Sequence, residues 1–167
     1  MELAATKLFR AKWTDAIHEE WIVNLLERRT DLTREKLNRT RDLMNIAVLD
    51  CLVVGYEDLI SGLTLPDPND RHVLAAAIRA DCRSIVTFNL KDFPAEHIEK
   101  YDIEAIHPDD FIYRLFAMKP HNVIIAAQRC RARMKNPAKT GEEYLAMLQG
   151  NSLPKTVSEL LPYVSVI

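Results

Sequence analysis

TLPDPNDRHVLAAAIRADCRSIVTFNLKDFP, residues 64–94, decides how the fold is read. It has three parts: an acidic start marked by proline, an alanine-rich helix, and a short β-rich run that ends in polar residues. Asp67 suits an N-cap, Pro68 suits the first helical position, and Asp70 falls in the first turn. Acidic side chains there complement the helix dipole by about a few tenths of a kcal/mol. The helix is predicted from about Pro68 to Ala80. Val73 to Ile78 is apolar all round, which predicts a helix sandwiched in the interior. SIVTF, residues 84–88, is the kind of run found in parallel sheets.

Helices and strands alternate on both sides of this stretch. ELAATKLF (2–9) has helical composition, and FRAKWT (9–14) suggests a short strand. Thr14 or Asp15 caps a helix to about Arg29, with Ile17, Trp21 and Leu25 facing inward. Thr33 caps a second helix to about Ala47, with Leu37, Met44 and Ala47 inward. DCLVVG (50–55) reads as a short buried strand and YEDLI (56–60) as a single turn. Pro94 opens a short helix, IEAI (103–106) makes another strand, and Pro108 starts a helix to about Ala117. This alternation predicts an α/β fold with a parallel sheet. After Pro120 the pattern becomes helical. HNVIIAAQRCRARM (121–134), EEYLAMLQ (142–149) and a capped last helix in SLPKTVSELLPYV (152–164) follow one another. Residues 1–119 are therefore expected to form an α/β domain and 120–167 a helical appendage.

Bulk properties narrow the function classes. With 167 residues and 48% hydrophobic content, the chain can bury a core without staples. Cys51, Cys82 and Cys130 lie far apart with no CxxC pair, which argues against a zinc knuckle or a disulfide framework. No apolar run approaches a membrane span, and MELAATKLFRAKW lacks a signal-peptide hydrophobic region, so a cytoplasmic location is expected. GxSxG, P-loop and GxGxxG motifs are absent. The net charge of -2 is unevenly placed. Residues 111–141 contain no acid but seven basic residues, among them Arg129, Arg131, Arg133 and Lys135. Such a segment is either a solvated helix face or a surface for phosphates. The five histidines are scattered and read as ordinary surface or core residues.

Candidate chemistry collects around the opening stretch. In an open α/β sheet, ligands gather beyond the carboxyl ends of the strands. Thr87, Asn89 and Asp92 lie at or just past the end of SIVTF. The helix beginning at Asp70 opens on the same rim. Asp70 shares a face with Leu74 and Ala77, which points it inward. A half-buried carboxylate needs a partner or a cation. Glu20 lies roughly 60° from Ile17 on a helical wheel, at the border of the apolar stripe. Each acid taken singly has a plainer reading: dipole complement, boundary residue, or turn residue before Phe93-Pro94.

Taken together, residues 64–94 resemble the C-terminal half of a PIN domain, the metal-dependent ribonuclease fold of VapC-like toxins. The matching pieces are an Asp opening an Ala-rich helix, then a strand ending in Thr-x-Asn-x-x-Asp-Phe. WTDAIHEEW is similar to the family's helix start, with Glu20 in the place of its glutamate. The resemblance implies that Glu20, Asp70 and Asp92 hold Mg²⁺ or Mn²⁺, with Thr87 and Asn89 as supporting polar positions. It implies hydrolysis of phosphodiester bonds in single-stranded RNA, and neutralisation by an antitoxin-like protein. One departure is expected to matter. A PIN domain begins with a central apolar strand ending in a metal-binding Asp, and here no aspartate precedes Asp15. That leaves an N-terminally incomplete sheet, for which three explanations stand: a start upstream of Met1, closure by a strand-swapped homodimer, or neighbouring strands closing up. The chain is then either a nuclease inactive in this form or a non-catalytic PIN module that binds RNA or a protein partner.

Overall fold

A computed structural model describes all 167 residues. Helix starts fall where short polar side chains and prolines put them. Helix α1 covers Glu2–Ala5. Helix α2, Asp15–Arg28, is capped by Thr14, whose hydroxyl accepts from the Ile17 N–H at 3.0 Å. Helix α3, Arg34–Ala47, is capped by Thr33 in the same way. Helix α4 is the single turn Glu57–Ile60. A 3₁₀ turn, Pro68–Asp70, leads into helix α5, Arg71–Arg79. Strand β1, Ser84–Val86, and strand β2, Glu104–Ile106, flank helix α6, Ala95–Ile98. The helical remainder is α7 (Pro108–Met118), α8 (Pro120–Ala132), α9 (Gly141–Gly150) and α10 (Pro154–Leu160).

The fold is mixed α/β, with β1 and β2 paired as a small parallel sheet. Their ladder runs through Glu104 N–H to Arg83 C=O and Thr87 N–H to Ile106 C=O, each at 3.0 Å. The two upstream strand candidates shrink to one parallel bridge, Trp13 with Leu52. Trp13 N–H donates to the Cys51 carbonyl and its carbonyl accepts from Val53 N–H, both at 2.9 Å.

Two units divide the chain. The first comprises Met1, Arg10–Ile85 and Asn89–Ala105, and the second Glu2–Phe9, Val86–Phe88 and Ile106–Ile167. In the first, Leu74, Ala75, Ala76 and Ala77 of α5 sit in the centre of a cluster with Val53, Leu65, Ile85, Phe93, Ile98 and Ile103. Full burial of a side chain such as Leu74 contributes about 1.5–3 kcal/mol. In the second unit, Ala127, Tyr144, Leu145, Leu160 and Ile167 form the core. Gly141 lies so close to the Val164 carbonyl that an added Cβ would stand 2.3 Å from its oxygen.

The inward faces depart from simple periodicity by one residue. On α2 the buried side chains are His18 and Ile22, while Ile17, Trp21 and Leu25 are half-buried. On α3 Leu37 is buried, but Ala47 is exposed and the next residue, Val48, is buried instead. His18 enters the interior because both ring nitrogens find partners. Trp21 Nε1 donates to Nδ1 at 2.9 Å, and Nε2 meets Asn45 Oδ1 at 3.0 Å. A polar ring so satisfied packs as core.

Candidate functional site

The first unit gathers its acids around the start of α5. Asp67 is the cap: its carboxylate accepts from the Asn69 N–H at 2.8 Å. Asp70, three residues on, makes no cap bond and is half-buried. Its carboxyl is pushed above the ordinary range, first by burial and then by the charges of Asp92, Asp67 and Glu20, with His72 alone opposing. The long-range part of that crowding is assembled by the fold, since Glu20 comes from α2 and Asp92 from the turn after β1. Like charges brought together cost free energy unless protonated or neutralised by a cation.

Each remaining candidate has a definite place. Glu20 is exposed, and its Oε1 lies 2.8 Å from His72 Nε2. Asp92 is half-buried, with Oδ2 accepting from Asn89 Nδ2. Thr87 is half-buried at the end of β1, where its N–H continues the ladder. The donors are hard oxygens, the type Mg²⁺ and Mn²⁺ take. The charge excess at Asp70 is the kind a divalent cation relieves. The donor types suit such an ion, but their arrangement in this structure does not form a site for one. No three Asp, Glu, His or Cys side chains converge as a ready-made ligand shell. His72 carries no periodicity signal of its own; only the fold reveals it as the partner of Glu20.

The basic residues of the second unit differ among themselves. Arg129 and Lys135 are exposed and make no ion pair. Arg131 donates through Nη1 to the Lys139 carbonyl at 2.9 Å, bracing the loop before α9. Arg133 is ion-paired to Glu2.

Residues 108–162 match the family model described as "VapC50 C-terminal domain". A 58-residue stretch, 35% of this chain, is 52% identical to "Putative ribonuclease VapC50" of Mycobacterium tuberculosis (strain H37Rv). Within these stretches the chain is similar to VapC50. That alignment covers 34% of the mycobacterial protein, about a third of its length. No solved structure matches this chain. No helix of it is long and apolar enough to cross a membrane.

Proposed function

We propose that this chain is a VapC-like, PIN-like, metal-dependent ribonuclease of the toxin–antitoxin kind, hydrolysing single-stranded RNA. The observation that carries the reading is the crowding at Asp70, whose carboxyl is raised by burial and by three further acids. Such a group is costly to a purely structural site, and perturbed acids of this kind cluster where chemistry is done. Asp70, Asp92 and Glu20 would hold Mg²⁺ or Mn²⁺. When bound, the cation supplies Lewis acidity toward water and the phosphoryl centre. Asn89 holds one oxygen of Asp92 in place, and Thr87 adds a polar group at the strand end. Without a cation the same acids repel an RNA backbone. Exposed Arg129 and Lys135 are the groups proposed to meet phosphates. Arg131 and Arg133 were grouped with them by sequence, but their role there is secondary to the contacts they make with Lys139 and Glu2.

The finer fold reading accompanies this proposal: a PIN-like parallel sheet flanked by helices. The antitoxin-like partner, a homodimer and cytoplasmic operation belong to the same reading. The test is cleavage of a single-stranded RNA with Mn²⁺ or Mg²⁺, by the chain alone and by the chain completed with an apolar strand ending in Asp. Activity in either form that disappears with chelator and with Asp70→Asn is expected. Failure of both forms to bind a divalent ion would end the proposal.

The missing convergence of three acids favours a second reading, a PIN-like module that binds RNA without cutting it. It predicts salt-sensitive retention of RNA, weakened by joint Arg129→Glu and Lys135→Glu, with no cleavage in any metal.

A further inference from the structure

The chain has five phenylalanines, and four are buried or half-buried. Phe93 lies in the core of the first unit. Phe9 and Phe111 pack edge to face with ring centroids 4.9 Å apart, and Phe116 leans on Tyr163. Phe88 differs, with 62% of its surface in water. It stands between Thr87 and Asn89, just past the end of β1. Val86, two residues back, is also exposed, so the alternation of the strand turns both side chains outward.

Phe88 is exposed but not loose. Its ring meets His107 with centroids 5.2 Å apart and planes at 85°. His107 is itself anchored, since its Nδ1 accepts from the Asp109 N–H at 3.1 Å and caps α7. A near-perpendicular contact covers at most one face of a ring. Phe88 is thus braced while a flat apolar face stays in water. Nucleobases stack on such faces whatever their sequence, and a ring already held in place loses little freedom on binding. The charges that follow in sequence favour a base over a phosphate as the group Phe88 meets. Asp92 lies four residues on, and its carboxylate repels an RNA backbone. A neutral ring gains its contact from the base, which carries no charge to repel. Lys91, three residues on, is exposed, makes no ion pair, and supplies a cation for a phosphate next to a stacked base.

We infer that Phe88 is a stacking platform for one base of a single-stranded RNA, with His107 bracing its ring. The inference rests on the RNA reading proposed above, and it holds whether or not that RNA is cut. The test is fluorescence-anisotropy titration of a short dye-labelled single-stranded RNA with the full chain, in chelator and again in Mn²⁺. Phe88→Ala should weaken binding by about tenfold or more. Phe88→Leu, apolar but without a ring face, should lose at least about fivefold, and Phe88→Trp should stay within about threefold of wild type. The loss in Phe88→Ala should be the same at low and moderate salt, because stacking releases no counterions. Equal urea midpoints for the variants separate these effects from unfolding. Removing one base of the RNA at a time should weaken wild type at the stacked position and cost Phe88→Ala nothing further there. Wild type that binds RNA no better than Phe88→Ala or Phe88→Leu overturns the platform and leaves the RNA reading standing. So does a base removal that adds in full to Phe88→Ala at every position. Wild type that binds no RNA at low salt in either buffer overturns the RNA reading, and the inference with it.

Discussion

Two helix starts in this chain look alike and behave in opposite ways. In the first unit, Pro68-Asn69-Asp70 leads into α5, and in the second, Pro108-Asp109-Asp110 opens α7. Asp70 is half-buried and its carboxyl is raised, first by burial and then by neighbouring acids. Asp109 is only 3% exposed. Burial pushes its carboxyl up as well, but the bonds it accepts hold it below the ordinary range. Those bonds come from the Thr156 N–H at 2.8 Å, the Thr156 hydroxyl at 2.7 Å and the Lys155 N–H at 2.8 Å. The more buried acid is thus the settled one. Depth alone does not separate a structural carboxylate from a candidate functional one; the count of donors against neighbouring charges does.

The comparison breaks most sharply under a divalent ion. Asp70→Asn should reduce Mn²⁺ affinity by at least about a hundredfold, the upper range seen when mere outer partners are lost. Asp109→Asn should leave it unchanged. Titration calorimetry on both variants measures this, and equal losses would dissolve the distinction between the two acids.

Stability should respond the other way round. Asp109→Ala strands the buried Thr156 N–H and hydroxyl and the part-buried Lys155 N–H, and should cost about 2–4 kcal/mol in urea unfolding. Asp70→Asn removes a carboxylate crowded by like charge, and should raise the midpoint slightly at neutral pH. The pH dependence carries opposite signs. Asp109 has a depressed native pKa, so its contribution is present above the ordinary value of 3.8 and fades as pH falls through the native value. The gap between wild type and Asp109→Asn should narrow in that acid range. Asp70 has a raised native pKa, so its ionisation opposes folding. The gain from Asp70→Asn should be absent below 3.8 and grow as pH rises past it. Midpoints that move in parallel for both variants would refute the assignment.

Features coded by neighbours in sequence were legible in advance. Thr14, Thr33 and Asp67 cap where a short polar side chain meets a helical pattern, and Pro68 and Pro108 stand at first-turn positions. The division of labour between Asp67 as cap and Asp70 as non-cap was legible for the same reason. What depended on distant partners was not. His18 turned inward because Asn45, 27 residues away, satisfies it, which moved the buried face of α2 off the apolar count. The bond from His72 to Glu20 left no trace in either local pattern. The last helix, expected to carry its own cap, has no local side-chain cap, and Asp109 supplies the acceptor from 46 and 47 residues upstream.

That last difference yields the smallest and most discriminating prediction. Helix α9 is capped locally: Thr140 accepts from the Glu143 N–H at 3.2 Å, and Glu143 accepts from the Thr140 N–H at 2.9 Å. Both residues are exposed, so water replaces what a substitution removes. Thr140→Ala should cost about 1 kcal/mol, the usual worth of a cap. The start of α10 is served by a buried acid, and water cannot reach the Thr156 groups that its loss would strand. Asp109→Ala should therefore cost at least about twice as much as Thr140→Ala by urea unfolding. Equal costs would mean that solvent enters behind Thr156, and that Asp109 is an ordinary cap reached from a distance.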